Sequence, residues 1–259
     1  MVRSLKWTAL DFFAGSGLVR LGLEPEFTTA WANDKCPKKG AVYNSNADTP
    51  LRLGSIEHVS GSELPAADLA WASFPCQDLS LAGNLTGIRK GTRSGLFWQW
   101  MRVIDELAAA GKKPPVLVAE NVVGFLVAGN GAHFKRAYAA LKDRDYIAGA
   151  LVVDARHFLP QSRPRAFIIA VPRDLPIHEF ATDGPTPPFH SDPLVRASRR
   201  CAVRRSSPRE RHCPYENCRK GANTCNRSSK VIAGASIRRY ASWKRQSNCH
   251  YSMGGSACV

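Results

Sequence analysis

Four groups of polar residues in this chain combine side chains that can bind a ligand and carry out covalent chemistry. They occupy residues 11–17, 73–78, 120–122 and 160–165. Each of the first three directly follows a short apolar run, and the fourth directly precedes one. Together they supply glycines, a cysteine thiol, three carboxyl groups and two guanidinium groups. These suit close backbone approach, nucleophilic attack, proton transfer and anion binding, respectively.

The first group is a turn of the kind that binds nucleotides. Gly15 and Gly17 follow a strand-like run and precede a helix-like segment, so a ligand can reach the backbone and the N–H groups of a helix N-terminus. Asp34 follows the second apolar run and suits the hydroxyl pair of a ribose. The turn departs from a full G-x-G-x-x-G motif because Arg20 occupies the third position after Gly17. A plain tight turn and a solvated loop carboxylate therefore remain alternative interpretations.

Cys76 is the candidate nucleophile of the second group. Free cysteines are usually small buried apolar residues, and that interpretation stays open. However, Cys76 follows a predicted strand, stands in a polar loop and is preceded by Pro75, which would stiffen the backbone. In the fourth group, Arg163 and Arg165 alternate at the start of a strand and therefore point to the same face. Ordinary surface charge would explain either arginine alone.

Alternating strands and helices are predicted to position these groups. Apolar runs predict strands over residues 7–12, 27–32, 69–73, 115–119, 151–153 and 166–171, and helix-spaced apolar residues predict helices over 94–110 and 131–141. This pattern indicates an α/β domain with a doubly wound, mostly parallel sheet that is covered on both faces. Ligands of such sheets bind at the carboxyl ends of the strands, where the polar groups fall.

The last 69 residues differ in composition from the rest of the chain. Residues 191–259 hold 15 of the 36 Lys and Arg residues but 3 of the 21 Asp and Glu residues, a net charge of +12 against +3 for residues 1–190. They also hold six of the eight cysteines, whereas Leu, Ile, Val and Phe fill only seven positions. Charged segments this poor in large apolar residues tend to stay disordered. We therefore predict a folded domain over residues 1–183 and a disordered basic tail over residues 184–259.

The composition excludes several classes of protein. A hydrophobic content of 44% argues against disorder of the whole chain. No uncharged apolar run approaches the roughly 18 residues that a membrane span needs. The first residues also lack the apolar core of a secretory signal. We therefore expect a cytoplasmic protein without a membrane partner.

Together, and in this order, the four groups resemble the motifs of DNA (cytosine-5) methyltransferases of bacterial or phage type. The matching residues are 12–17, 74–77, 120–122 and 161–165, with lesser matches at 54–56, 93–97 and Asp34. The resemblance extends over residues 5–173. It implies the Rossmann-like fold of S-adenosylmethionine-dependent methyltransferases. It also implies transfer of a methyl group from S-adenosylmethionine to C5 of cytosine in double-stranded DNA, as in restriction-modification systems.

The resemblance also implies roles for individual residues. Cys76 would attack C6 of a cytosine flipped out of the helix, and Glu120 would give a proton to ring nitrogen N3. Arg163 and Arg165 would hold the cytosine carbonyl or a nearby phosphate, and residues 78–94 would form the loop that closes on the DNA. We expect a nucleoid-associated monomer that uses no metal ion. The implied cofactor pocket consists of Phe12, Ala14, Gly15, Ser16, Gly17, Asp34, Ile56, Pro75 and Leu96.

Two departures from the family pattern concern the cofactor pocket and the C-terminal part of the chain. Ser55 stands where the family usually has an acid that contacts the adenine amino group, and Lys35 stands where an aromatic ring often stacks on adenine. More of the adenine contact would then fall to Ile56 and Leu96. After residue 190, no target-recognition domain, Asn-containing motif or final packing segment is recognisable. We therefore expect the tail to be a truncated or frameshifted reading.

Three alternatives stay open at this point. The chain could be a catalytically inactive remnant that acts at most as a non-specific nucleic-acid binder. It could also be a tRNA cytosine-5 methyltransferase, since that family shares the motifs, although the loop after Cys76 looks more like the bacterial DNA enzymes. For the tail, a zinc module is the alternative to disorder, yet paired C-x-x-C spacing is missing among the candidate ligands Cys201, His212, Cys213, Cys218 and Cys225.

Overall fold

The computed structural model of the chain describes residues 6–75, 95–175, 181–182, 190–201 and 231–232. Cys76, the loop over residues 78–94 and most of the predicted tail lie outside these ranges. The strands are β1 (Trp7–Phe12), β2 (Phe27–Asp34), β3 (Arg52–Leu53), β4 (Leu69–Ala72), β5 (Val116–Val122), β6 (Tyr146–Asp154), β7 (Pro164–Pro172), β8 (Ala181–Thr182) and β9 (Val231–Ile232). The α-helices are α1 (Leu18–Leu23), α2 (Pro37–Asn44), α3 (Leu96–Ala109), α4 (Gly124–Val127), α5 (Ala132–Lys142) and α6 (Asp192–Cys201).

Seven of these strands form one sheet in the order β3-β2-β1-β4-β5-β7-β6. The first five strands in this order pair in parallel, whereas β7 runs antiparallel to both of its neighbours, β5 and β6. The predicted α/β class with a mostly parallel sheet is therefore confirmed. Because β7 is reversed, it begins at the edge of the sheet where the other strands end.

Two strands are longer than the apolar runs predicted. β5 continues through Glu120, Asn121 and Val122, because these residues stay paired with the first residues of β7. β6 begins at Tyr146 rather than at residue 151, because its first half also pairs with β7. Small residues such as Gly149 carry little strand preference of their own, so only the partner strand extends β6.

Helices cover both faces of the sheet. On one face, Trp100, Ile104 and Leu107 of α3 share a core with Phe12 of β1 and with residues of α4 and α5. These α3 positions are three and four residues apart, so they form one apolar stripe. On the other face, Tyr43 of α2 is buried in a smaller cluster that includes residues of β2. None of the helices that the structure describes is long and apolar enough to cross a membrane.

Helix α6 lies within residues 184–259, which were predicted to form a disordered tail. It packs against α4 and α5, and its Leu194 and Ala197 are buried in the same core as α3. These residues were assigned to the disordered tail because the segment as a whole is polar. Two apolar side chains three residues apart nevertheless suffice to attach one helical face to the body. Farther along, β9 pairs antiparallel with β8 and contacts β6.

Gly61 marks a close approach between helix α3 and the connection from β3 to β4. A Cβ atom at this position would overlap the carbonyl oxygen of Val103 and lie 2.8 Å from Cβ of Glu106. The N–H of Gly61 donates to the Glu106 carboxylate at 2.7 Å, and Arg102 donates to the carbonyl oxygen of Ile56 at 3.0 Å. Two charged side chains of α3 therefore hold this connection at a distance that only glycine allows.

We predict that Gly61→Ala destabilises the fold by about 1–3 kcal/mol, because the connection and α3 must separate to admit the methyl group. Gly22→Ala in α1 is the matched control, since a Cβ there meets no atom within 4 Å. Alanine favours a helix over glycine, so the control should be neutral or slightly stabilising. Urea unfolding measures both variants. If Gly61→Ala and wild type had equal free energies of unfolding, the connection would not be in close contact with α3.

Asp11 places a carboxyl group in the core near the carboxyl end of β1. It is only 1% exposed, and neither carboxylate oxygen has a hydrogen-bond partner among the described residues. Burial, reinforced by the negative charge of Asp34, raises the pKa of Asp11 to about 8. The carboxyl group is therefore neutral in the folded protein at neutral pH. In the unfolded chain it is ionised above its ordinary pKa of 3.8.

We predict that Asp11→Asn changes how stability depends on pH. Between the unfolded and folded pKa values, the native state holds a proton that the unfolded state lacks. Asp11 therefore lowers the free energy of unfolding by up to about 1.4 kcal/mol for each unit of rising pH in that window. Asparagine removes this dependence.

Thermal unfolding of wild type and variant at fixed ionic strength measures the effect. The melting temperature of Asp11→Asn relative to wild type should rise between pH 4 and about pH 8 and then level off. Asp143→Asn, which alters an exposed carboxylate, is the control. A constant difference between Asp11→Asn and wild type across this range would contradict the prediction.

Candidate active site

Parts of all four predicted groups meet at one edge of the sheet. β1 ends at Phe12 before the glycine turn, β4 ends at Ala72 and β5 ends at Val122. Parallel pairing aligns these three ends, and the reversed β7 adds its first residues to the same edge. Pro75 is the last described residue before Cys76, whose own position lies outside the described ranges. The edge is therefore the candidate site.

Glu120 and Arg165 form an ion pair at this edge. The Arg165 Nε and the Glu120 Oε1 atoms are 3.0 Å apart, and each side chain is 21% exposed. Val122 lies directly opposite Arg165 in the antiparallel ladder, so Glu120 and Arg165 are diagonal neighbours on one face of the sheet. Arg165 also donates from Nη1 to the carbonyl oxygen of Pro164 at 2.9 Å. The two predicted catalytic residues are thus brought together, half-buried and within reach of a ligand.

Asn121 positions the backbone that leads to Cys76. Its side chain is 5% exposed, and its Nδ2 donates to the carbonyl oxygen of Phe74 at 2.9 Å. The Phe74 ring is buried against Phe97 of α3, with ring centroids 5.5 Å apart. Asn121 was not among the predicted site residues. The available signal was an amide at the end of a buried strand, directly after Glu120, because a buried amide requires a hydrogen-bond partner.

Arg163 lies apart from the Glu120–Arg165 pair, and its side chain is exposed. Its backbone N–H donates to Asp154 at the end of β6, at 2.7 Å. Burial alone would raise the pKa of Asp154, but hydrogen bonds from the N–H groups of Arg156 and Arg163 and from the Ser162 hydroxyl hold it below its usual range. The Asp154 carboxylate therefore fixes the backbone of the arginine-bearing loop. The catalytic role of the Arg163 side chain stays a prediction.

Hydrogen bonds to the Asp34 carboxylate stabilise the glycine turn after β1. Gly15 and Gly17 have φ values of 57° and 90°, and Phe13 has a φ of 59°, which is unusual for a residue with a side chain. One carboxylate oxygen of Asp34 accepts from the N–H of Gly15 at 2.9 Å, and the other accepts from the N–H of Cys36 at 2.8 Å. Asp34 thus fixes the turn through backbone donors. Its contact with a ribose stays a prediction.

Two of the predicted cofactor residues have side chains in the core. Phe12 has no exposed surface and packs against Trp31 and Trp100, with ring centroids 5.0 and 6.4 Å apart. Ile56 is 2% exposed. Their contacts with a cofactor stay a prediction. Phe13, which directly precedes Ala14 in the turn, is half-buried.

The remaining residues fit a cofactor with an adenosine group. A ligand has room to approach the backbone at Gly15. Among the described residues, a Cβ atom built on Gly15 would have only Lys39 Cδ near it, at 4.0 Å. Half-buried apolar side chains and an exposed proline supply surface for a flat ring, and Asp34 holds the turn through its two backbone hydrogen bonds. The predicted pocket residues are distributed as follows: Ser16 and Pro75 are exposed, Gly15 and Leu96 are half-buried, and Ala14, Gly17 and Asp34 are buried.

Solved structures share this fold at low sequence identity. The Dnmt2 methyltransferase of S. pombe matches with a TM-score of 0.53 and 19% identity, over 66% of this chain and 52% of its own. A putative DNA modification methyltransferase encoded within an E. coli prophage matches with a TM-score of 0.52 and 18% identity, over 68% of this chain and 50% of its own. These likenesses support the Rossmann-like architecture of the body.

Sequence comparison identifies closer relatives. The type II methyltransferase M.Bsp6I of Bacillus sp. (strain RFL6) is 33% identical over 61% of this chain and 50% of its own length. M.HhaI of Haemophilus parahaemolyticus is 32% identical over 66% of this chain and 51% of its own length. The chain thus spans about half the length of these relatives. The family model for C-5 cytosine-specific DNA methylases matches residues 7–249, and the chain belongs to that family.

Proposed function

We propose that this chain transfers a methyl group from S-adenosylmethionine to C5 of cytosine in double-stranded DNA. The observation that carries the proposal is the Glu120–Arg165 pair, which lies at the same sheet edge as the backbone leading to Cys76. An acid, a cation and the start of the cysteine loop thus converge on one place. Relatives in this family use S-adenosylmethionine as methyl donor, and the glycine turn with Asp34 supplies a fitting pocket.

Cys76 provides the nucleophile of the proposed reaction. Cytosine C5 is a poor nucleophile until a thiolate adds to C6, forms an S–C6 bond and shifts the electron pair of the C5–C6 double bond onto the rest of the ring. Glu120, once it has taken up a proton from solvent, gives that proton to N3 as charge develops there. The ring carbon C5 then takes the methyl group as the methyl–sulfur bond breaks. Loss of the C5 proton to a base, cleavage of the S–C6 bond and return of the N3 proton to the Glu120 carboxylate restore the aromatic ring and free the Cys76 thiolate.

Arg165 has two partners in this scheme. Without DNA it holds the Glu120 carboxylate at 3.0 Å, which keeps both side chains at the sheet edge. With a cytosine bound, its guanidinium donates to the carbonyl oxygen of the base instead. The Glu120 carboxyl group is then free to interact with N3. The base must leave the DNA helix to reach this edge, because the pair is half-buried against the sheet. Arg163, on the exposed loop, holds a nearby phosphate.

The cofactor pocket is assigned to the glycine turn and the apolar side chains around it. S-adenosylmethionine, when bound, supplies a methyl group on a positively charged sulfur. The turn at Gly15 and Ser16 presents backbone to it, and Asp34 keeps the turn in its left-handed conformation. Phe13 and Leu96 are half-buried and supply apolar contacts for the adenine ring. Pro75, which is exposed, directly precedes Cys76 in the chain.

A duplex of mixed sequence that contains 5-fluorocytosine tests the proposed nucleophile. Fluorine at C5 prevents the loss of the C5 proton, so the S–C6 bond persists after methyl transfer. With S-adenosylmethionine present, we expect a complex that survives denaturing electrophoresis for wild type and for Cys36→Ser, the matched control. Cys76→Ser should abolish it. An adduct that persists in Cys76→Ser would identify another nucleophile, and salt-reversible binding without any adduct would indicate a non-specific nucleic-acid binder.

Titration calorimetry with S-adenosylmethionine tests the pocket. Asp34→Ala removes the charged acceptor of the Gly15 N–H, and we expect it to weaken binding by about 1.5–3 kcal/mol. Asp34→Asn keeps one acceptor oxygen and should lose less. Asp48→Ala alters an exposed carboxylate on a different loop and serves as control. If Asp34→Ala folds, as judged by circular dichroism, and binds as wild type does, Asp34 has no part in the cofactor pocket.

A further inference from the structure

The loop between β6 and β7 presents a pair of apolar side chains to solvent. Phe158 is 74% exposed and Leu159 is 58% exposed, directly after the short 3₁₀ helix Ala155–His157. Scattered exposed apolar residues are ordinary, but two adjacent large ones beside a functional edge are not. The loop leads within a few residues to Arg165, so this apolar tip borders the proposed catalytic site.

Hydrogen bonds hold the apolar tip in its exposed position. The N–H groups of Phe158 and Leu159 both donate to the carbonyl oxygen of Ala155 at 2.8 Å. At the base of the loop, one oxygen of Asp154 accepts from the N–H groups of Arg156 and Arg163, at 3.1 and 2.7 Å. The two side chains are thus displayed by a bonded turn, and a partner can bind them without ordering the loop first.

Arginine and histidine side chains flank the tip. Arg156 is 68% exposed and pairs through its Nε with Asp154 at 3.3 Å, and the side chains of His157 and Arg163 are also exposed. The His157 and Phe158 rings lie edge to face, with centroids 6.4 Å apart. Apolar surface ringed by cations complements single-stranded or distorted DNA, in which bases stack on aromatic rings and phosphates bind arginine. A protein partner with an apolar patch would gain little from these cations.

We propose that Phe158 and Leu159 form a wedge that contacts the bases next to the target cytosine, while Arg156 and Arg163 bind the flanking phosphates. The wedge rests on the proposed function, since it needs a base to leave the helix at the neighbouring Glu120–Arg165 pair. Its role is to fill the space from which the target base departs. Unstacking one step is costly, and an apolar side chain that takes the place of the base recovers part of that cost.

Binding of a labelled duplex, measured by fluorescence anisotropy, tests the wedge. The duplex is the same fluorocytosine duplex used for trapping. We expect Phe158→Ala to weaken binding about tenfold, with no change in the slope of affinity against salt. Phe158→Trp, which keeps an aromatic ring at this position, should bind the duplex as tightly as wild type does. Arg156→Gln should reduce the salt slope by about 1. Val42→Ala, which removes a side chain that is 49% exposed on α2, should match wild type.

Failure of the wedge and failure of the proposed function give different results. If wild type forms no covalent adduct under any condition, the proposed function fails and the wedge fails with it. If wild type forms the adduct, and Phe158→Ala binds and traps DNA equally well, only the wedge is overturned. Sedimentation of each variant completes the test. A loss of self-association in Phe158→Ala with unchanged DNA affinity would show that the tip binds a second copy of the chain and overturn the wedge.

Discussion

Antiparallel pairing of β7 with β5 is the constraint on which the rest of the site depends. Because β7 runs against β5, its first residues lie beside the carboxyl end of β5, the edge at which sheets of this kind bind their ligands. This makes Glu120 and Arg165 neighbours on one face. Asn121, the next residue along β5 after Glu120, points to the opposite face and donates a hydrogen bond to the carbonyl oxygen of Phe74. One strand therefore carries both the acid and the amide that positions the backbone before Cys76. A register shift of one residue would exchange their faces.

Aromatic packing connects the two halves of the site beneath this edge. Phe12, at the end of β1, packs on Trp100 of α3; Trp100 packs on Phe97, and Phe97 packs on Phe74. The strand end that leads to the glycine turn and the strand end that leads to Cys76 thus rest on one helix. Edge-to-face pairs add about 0.5–1.5 kcal/mol each to the gain from burial, and they favour particular ring orientations. Movement of α3 would therefore displace both halves together.

Two carboxylates shape the turns at either side of the edge. Asp34 accepts from the N–H groups of Gly15 and Cys36, and Asp154 accepts from the N–H group of Arg163. In both turns, backbone donors satisfy much of the negative charge. The Arg163 side chain is left exposed at the edge, and under the proposed function it binds a phosphate there. The same bonds explain why a loop with exposed apolar residues keeps a defined shape.

The fold class and the chemical groups of the candidate site could be predicted from the sequence alone, because apolar runs alternate with helix-spaced segments and the strand ends carry a consistent set of side chains. Which of those side chains are accessible at the sheet edge depends on tertiary packing. Phe12 and Ile56 are covered by helix packing and strand pairing that local sequence does not contain. Helix α6 joins the body through two apolar contacts that average composition conceals. The pairing of Glu120 with Arg165 depends on sheet order, because residues far apart in the chain become neighbours only when β7 folds back against β5.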